Sequence, residues 1–297
     1  MLREVVIGER KLATGAMPLI VAELGINHNG DVDTAEEMIL AAKLAGADAV
    51  KFQKRTVDKL YTEEELARPK ASPFGTTYGD YKWGVEFTVA EYDAMDAICM
   101  EEGIMWFASC WDVEAINFMV QYDIPCIKVA SPSLTDLELV RYASMPGKPL
   151  IISTGMSTMR QIEACLATIE EQHDTDWVQD NVILLQCTNI YPVEDPGDID
   201  LAVIATMREE LDLLTGFSGH QLAWPASVMA MAMGAVYIEM HFTLDRGMWG
   251  SDQKSSLTPE EFGDMVDWIH YMHAAIGNGV KKVHEPPEAF RRLRRVG

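Results

Sequence analysis

The 297 residues carry 24 Lys and Arg against 46 Asp and Glu, a net charge of −22, which argues against a nucleic-acid partner because phosphates need a basic face. The length allows a large core in one or two domains, and 48% hydrophobic with 24% charged residues is the balance of a soluble enzyme. No apolar run approaches the roughly 18–20 residues of a membrane span, and the start, MLREVVIGERKLATG, lacks a signal-peptide core, so the expected location is cytoplasmic.

In chain order the pattern is a strand-length apolar run followed by a helix-length amphipathic run, repeated. Residues 1–17 read as a short hairpin or plug. A strand over 19–26 leads to a helix over 33–45, and a strand over 49–53 to a long polar excursion, 54–87, before a helix over 89–102. Then come a strand over 104–110 with a helix from 112, a strand over 126–130 with a helix over 134–144, and a strand over 149–153 with a helix over 158–171. The last three pairs are 182–187 with 201–211, 213–217 with 225–233, and 236–242 with 259–276. Short continuous apolar runs between helices imply a parallel sheet covered by helices. Eight such units fit a (β/α)8 TIM barrel in a single domain over 1–297. An open doubly wound sheet is disfavoured, because no Gly-rich nucleotide turn follows the first strand and polar residues mark nearly every strand's C-terminal end. The excursion holds Tyr61, Phe74, Gly75, Tyr78, Tyr81 and Trp83 and reads as a lid or substrate wall, or else as a passive surface loop. The basic run at 291–295 suggests a frayed or partner-facing terminal helix.

The polar strand ends are where chemistry is expected. Lys51 ends AVKF with Gln53 two residues on, and Lys128 sits in CIKVAS. A lysine in an apolar strand needs an anion; two of them point to an anionic substrate, with structural ion pairs as the alternative. Ser109, Ser131, Ser153, Thr154 and Ser218 stand at the same level beside Gly155 and Gly219. A lone serine there is often a helix N-cap, but several on separate strand ends resemble a phosphate or carboxylate cradle. No Gly-x-Ser-x-Gly elbow marks a nucleophile. Glu23 lies inside the first strand, where a carboxylate needs a partner or a metal. Asn27, His28 and Asn29 are cap or site candidates alike. Asn189 and Tyr191 in QCTNIYP bring an amide and a phenol to the mouth, and Asp245, Asp252 and Lys254 follow the last strand. His220 and His241 end neighbouring strands, with Glu239 two residues before the second, which suits a borderline divalent ion such as manganese, iron or zinc. Cys99, Cys110, Cys126, Cys165 and Cys187 form no CxxC pair and read as reduced, buried thiols.

With these residues in place, the stretch AELGINHNGDVDTAEEMILAAKLAGADAVKFQ, then FASCWD, IKVAS, ISTGM, QCTNIYP, GFSGHQ and IEMHFTLDR…GSDQKSSLTPEE, resembles the sialic acid synthase family over about 19–265. The resemblance implies a (β/α)8 barrel, as a homodimer, that makes nonulosonic acids from phosphoenolpyruvate and an aldose. It implies a divalent cofactor, manganese first, with magnesium, cobalt or iron as alternatives, held by His220 and His241. It assigns Lys51, Ser109, Lys128, Ser131, Ser153 and Ser218 to phosphoenolpyruvate, and Gln53, Asn189, Tyr191 and Asp252 to the sugar. Glu23 would orient or deprotonate the attacking water, and Glu239 would support metal and sugar. The sequence departs from the family pattern at four places. No C-terminal antifreeze-like (SAF) domain is expected, so the arginine such a domain supplies to the sugar's acetamido group has no counterpart. Gly219 stands where Asp is usual, Ser251 and Gln253 stand where Pro and His are usual, and SPFGTTYGD has no match for a loop asparagine. The alternatives are an octulosonate- or heptulosonate-type synthase acting on a non-acetylated or phosphorylated aldose, a Schiff-base aldolase using Lys128 or Lys51, and a non-catalytic barrel subunit.

Overall fold

The computed structural model describes residues 3–284; the basic run at 291–295 lies outside them. The chain opens with an antiparallel hairpin, β1 (Val5–Ile7) and β2 (Arg10–Leu12). Next come β3 (Leu19–Gly25), α1 (Val32–Leu44) and β4 (Ala49–Lys54). The long excursion is built rather than loose: α2 (Val57–Leu60), α3 (Glu63–Leu66), a second hairpin of β5 (Pro69–Ser72) and β6 (Gly75–Thr77), and α4 (Tyr78–Gly84). Then follow α5 (Val89–Glu102), β7 (Met105–Cys110), α6 (Val113–Met119), β8 (Ile127–Val129), α7 (Leu137–Ser144) and β9 (Leu150–Ser153). The chain continues through α8 (Met159–Glu170), α9 (Thr175–Asn181), β10 (Val182–Cys187), α10 (Ala202–Leu211) and β11 (Leu214–Gly219). It closes with α11 (Pro225–Ala232), β12 (Tyr237–His241) and α12 (Pro259–Ile276).

Strands β3, β4, β7, β8, β9, β10, β11 and β12 form a closed barrel in chain order, with β12 pairing back on β3, and every barrel pair is parallel. The expected (β/α)8 barrel is therefore the fold. Its strands are apolar nearly throughout because both faces are covered, by barrel interior on one side and by helices on the other. Helix starts follow capping chemistry: Asp31 accepts from the Thr34 N–H, and Thr88 with Glu91, and Thr258 with Glu261, form capping boxes. The first hairpin buries Val5, Ile7 and Leu12 in the main core. Its Arg10 pairs with Asp48, whose other oxygen takes the Ile20 N–H at 2.8 Å, so the hairpin is pinned to the strand starts, the end of the barrel away from the site.

Two expectations shift. The barrel strand expected to stop at 217 runs on to Gly219, because β10 and β12 offer ladder partners on both sides; in a barrel such pairing outweighs the polarity of Ser218. Helix α9 was not expected, since its sequence TDWVQDN is polar; an Asp174 side-chain cap and the docking of Val178 in the core hold it.

Candidate active site

Because side chains alternate along a strand, the i, i+2 positions of the barrel strands share the interior. Register sets their level: Cys187 pairs with Ser218, and Ser218 with Glu239, on β10, β11 and β12. His241 pairs with Glu23, and Glu23 with Lys51, on β12, β3 and β4. Gln53 pairs with Ser109, and Ser109 with Lys128, on β4, β7 and β8. These rows line a cavity of about 470 Å³ at the C-terminal ends of the strands, and every residue assigned above to substrate, catalysis or metal lines it.

The floor is a closed charge network. The Lys51 ammonium lies 2.6 Å from Glu23 and 3.5 Å from Glu239, and donates to the Ser109 hydroxyl at 2.7 Å. Lys128 donates to Ser153 at 2.6 Å and lies 4.0 Å from Glu239. Glu239 also accepts from Ser218 at 3.1 Å and from the Tyr237 hydroxyl at 2.7 Å. All these groups except the Tyr237 body count among buried polar or charged side chains. Burial works against the Lys51 charge, yet Glu23 and Glu239 outweigh it and hold Lys51 above the ordinary lysine value. For Lys128 burial wins, aided by repulsion from Lys51, and its pKa falls. Burial would raise Glu239, but Lys128, Lys51 and the Tyr237 hydroxyl keep it ionised below the usual carboxylate range. The ion pairs held above as the alternative to anion binding are thus present, with the serine hydroxyls gathered around the same two lysines.

Beside the floor, the Gly155 N–H donates to Ser131 at 3.1 Å, and Ser131 sits 3.0 Å from Cys187 Sγ. A Cβ at Gly155 would stand 2.9 Å from the Cys187 carbonyl oxygen, so this close approach requires glycine. On the rim, Tyr191 packs on His220 with ring centres 4.0 Å apart, and the His220 and His241 rings are 5.3 Å apart. Burial, with His241 alongside, lowers His220 to about 3, so its ring is neutral. Its Nδ1, 2.5 Å from the Thr188 carbonyl, is then the protonated nitrogen, which leaves a lone pair on Nε2. His241 Nδ1 is buried without a hydrogen-bond partner. Two imidazoles side by side, one with its tautomer fixed and one with an orphaned nitrogen, fit a borderline divalent ion. Among the described residues no group of three or more His, Cys, Asp or Glu is arranged to hold a metal. Glu239, expected to support metal and sugar, engages Ser218, Tyr237 and the two lysines.

The far wall comes from the excursion and the loop after β12. Gln53 donates to Glu23 at 2.9 Å and accepts from Arg55. The Arg55 guanidinium lies 4.5 Å over the Trp111 ring. From α4, Lys82 approaches the rings of Tyr61, Tyr78 and Tyr81 at 4.9–5.3 Å. Ser251 donates to Asp252 at 2.6 Å and lies 3.4 Å from the Tyr81 hydroxyl.

Residues 38–281 match the NeuB family. The chain belongs to the NeuB family. Mouse N-acetylneuraminate-9-phosphate synthase is 34% identical to it over 267 residues, 89% of this chain and 72% of that protein. N,N'-diacetyllegionaminic acid synthase of Legionella pneumophila is 32% identical over 267 residues, 89% of this chain and 74% of that one. The crystal structure of N-acetylneuraminic acid synthetase from Leptospira borgpetersenii, in complex with citrate, superimposes with a TM-score of 0.83 at 26% identity, covering 99% of this chain and 95% of that one. The expected family and enzyme class, a sugar-acid synthase, therefore hold.

In this NeuB-family cavity several wall residues lay outside the expectations: Arg55, Lys82, Trp111 and Cys187. Arg55 lies one residue past β4, and Lys82 lies in a stretch with no strand-end signal. Other candidates fall outside the cavity. His28 stacks on Phe87 with centroids 4.0 Å apart and accepts from the Gly30 N–H. Asn29, at φ 52°, donates to the Trp249 carbonyl. Thr154 bonds the Leu185 carbonyl, Asp245 takes the Gly247 N–H, and Lys254 is exposed. Of the departures from the family pattern, Ser251 lines the cavity, and Gln253 ties loops together through the Asn27 and Trp249 carbonyls. Gly219 is packed behind: a Cβ there would meet Met240 Sδ at 2.5 Å.

Proposed function

We propose that this chain condenses phosphoenolpyruvate with an open-chain aldose, giving a 2-keto-3-deoxy sugar acid of the nonulosonic type and phosphate. The observation that carries the reading is the buried pair Lys51 and Lys128, set in serine hydroxyls, beside His220 and His241 in one cavity. Phosphoenolpyruvate lies on the floor, its anionic oxygens against the two ammonium groups, Ser109, Ser131, Ser153, Ser218 and the Gly155 N–H. Gln53, Asn189, Tyr191 and Asp252 hold the aldose above it with its aldehyde toward the histidines. The methylene carbon of phosphoenolpyruvate attacks the aldehyde carbon, the C–C bond forms as the C=O π bond breaks, and the resulting alkoxide takes up a proton that the added water supplies. Positive charge develops at the carbon bearing the phosphate, where the ionised Glu239 faces it. Water oriented by Glu23 adds there and gives its proton to the Glu23 carboxylate. The tetrahedral centre then breaks its bond to the phosphate oxygen, so a ketone forms and phosphate leaves. Holding both substrates in line and meeting charge with fixed charge supply most of the acceleration. His220 and His241 would hold a divalent ion, manganese first, which when bound polarises the aldehyde oxygen as a Lewis acid.

The test is phosphate release from phosphoenolpyruvate with manganese present, across N-acetylmannosamine, mannose, arabinose 5-phosphate and diacetamido-dideoxyhexoses. Turnover with one of them is expected; none with any aldose, together with no metal bound, removes the reading. One observation favours a second reading, a Schiff-base aldolase: burial lowers the Lys128 pKa, as an amine nucleophile requires. Borohydride with pyruvate traps a covalent adduct only in that case.

A further inference from the structure

We infer that Tyr237 is a positioning residue for the condensation: its hydroxyl holds the Glu239 carboxylate short of Lys51 and Lys128, so that both ammonium groups stay open to the anionic oxygens of phosphoenolpyruvate. The inference rests on the reaction proposed above and adds to it a residue that lies beneath the cavity and touches neither substrate.

Alternation along the barrel strands puts the residue two places before each site residue in the interior, under the floor. Val21 below Glu23, Phe107 below Ser109, Ile151 below Ser153 and Leu185 below Cys187 are buried and apolar, the filling expected of a barrel. Tyr237, below Glu239, is fully buried as well, but it carries a hydroxyl. A phenylalanine would fill the same space. Gly216 on the neighbouring strand makes room for this residue: a Cβ there would stand 2.8 Å from the Tyr237 Cβ and 2.7 Å from its carbonyl oxygen. Burial, then the Glu239 charge, raise the phenol well above its ordinary value, so it keeps its proton and donates. The acceptor is Glu239 Oε2, at 2.7 Å.

The other carboxylate oxygen shows what that bond does. Glu239 Oε1 takes the Ser218 hydroxyl at 3.1 Å and stops 3.5 Å from the Lys51 nitrogen and 4.0 Å from the Lys128 nitrogen. A charge-assisted N–H···O bond closes to about 2.7–2.9 Å, and Glu23 does close on Lys51, at 2.6 Å. In a dry site a carboxylate this near two ammonium groups is drawn toward them, and Tyr237 holds its far oxygen from below. Each ammonium has three N–H donors. Among the described residues Lys51 gives two of them to Glu23 and Ser109, and Lys128 gives one to Ser153. The donors left over are the ones a phosphate or carboxylate can take. Without the Tyr237 bond the Glu239 carboxylate closes on those same donors and competes with phosphoenolpyruvate for them.

The experiment compares Tyr237→Phe, Glu239→Gln and the double variant with the parent in the phosphate-release assay with manganese, with calorimetric binding of phosphoenolpyruvate measured in parallel. Tyr237→Phe should raise the KM for phosphoenolpyruvate at least tenfold and weaken its calorimetric binding by the same factor, while the KM for the aldose stays within twofold. In the Glu239→Gln background no carboxylate is left to close on the lysines, so the same substitution should leave the phosphoenolpyruvate KM within twofold. Loss of packing alone would lower kcat by the same factor in both backgrounds. That result, or an unchanged phosphoenolpyruvate KM in Tyr237→Phe, overturns the inference and leaves the condensation intact. Should Tyr237→Phe fail to fold, the double variant, in which no buried charge loses a donor, is compared with Glu239→Gln alone: an equal phosphoenolpyruvate KM upholds the inference and a further rise overturns it. If no aldose turns over with the parent, the condensation fails, and calorimetry decides: phosphoenolpyruvate bound at least tenfold more weakly by Tyr237→Phe upholds the positioning role, and equal binding, or none by the parent, removes it.

Discussion

The floor and the lid side of this cavity solve the same electrostatic problem in opposite ways. On the floor each buried cation meets protein partners, Lys51 with Glu23 and Glu239, Lys128 with Ser153 and Glu239. On the lid side Arg55 and Lys82 meet aromatic rings and each other's field, and no carboxylate within ion-pair distance. A network that is complete without substrate is a preorganised one, holding its geometry before anything binds. A pair of cations left without an acid has no such network, so the two regions should respond differently to substitution.

The largest contrast is expected at Lys51. Lys51→Met leaves Glu23 and Glu239 buried without their shared cation, which should cost about 3–5 kcal/mol of stability and nearly all phosphate release. Denaturant unfolding beside the assay checks both, and a variant as stable as the parent would erase the distinction between the two regions. Next in size, His220→Ala and His241→Ala should each remove metal-dependent phosphate release by at least about 100-fold while the circular dichroism spectrum stays native. Retained manganese dependence would take the ion away from these residues. Tyr237→Phe removes one donor from an ionised, buried Glu239 and should cost about 1.5–3 kcal/mol, read as a lowered unfolding midpoint.

The smallest effects belong to the lid. Lys82→Met should change stability by about 1 kcal/mol or less, because relief of an unfavourable buried charge is offset by lost contact with three tyrosine rings. The pH dependence has a defined sign. The folded pKa of Lys82, about 8, lies below the ordinary lysine value, so the charged form is the disfavoured one in the fold. Its cost is fully present below pH 8 and fades as pH rises from about 8 toward the ordinary value. Denaturant unfolding of Lys82→Met beside the parent from pH 7 to 10 checks this, and a stability difference that does not change across that range would contradict the lowered value.

Much of this was legible in the residues. Apolar runs marked the barrel strands because parallel strands covered on both faces must be apolar, and a lysine, serine or histidine at the end of such a run could only face the mouth. That reasoning found Lys51, Lys128, Ser153, His220 and His241. It failed where position came from tertiary contact. Arg55 stands past its strand and is aimed inward by Gln53 and Trp111, neither of which a local pattern reveals. Lys82 reaches the cavity because α4 folds back over the barrel, with Thr77 and Asp80 forming its capping box; inside a 34-residue polar excursion (54–87) it carried no mark. Glu239 was expected to support metal and sugar, and only the three-dimensional arrangement shows its oxygens shared among Ser218, Tyr237 and two lysines.

The N-terminal hairpin bears on more than packing. With Val5, Ile7 and Leu12 buried at the strand starts and the cavity lined by the strands' C-terminal ends, reactants approach, among the described residues, from the lid side. The molecule that lies deepest enters first and the one nearer the lid enters second. For the proposed condensation that means compulsory order, phosphoenolpyruvate before aldose, visible as inhibition by a dead-end aldose analogue that is uncompetitive against phosphoenolpyruvate.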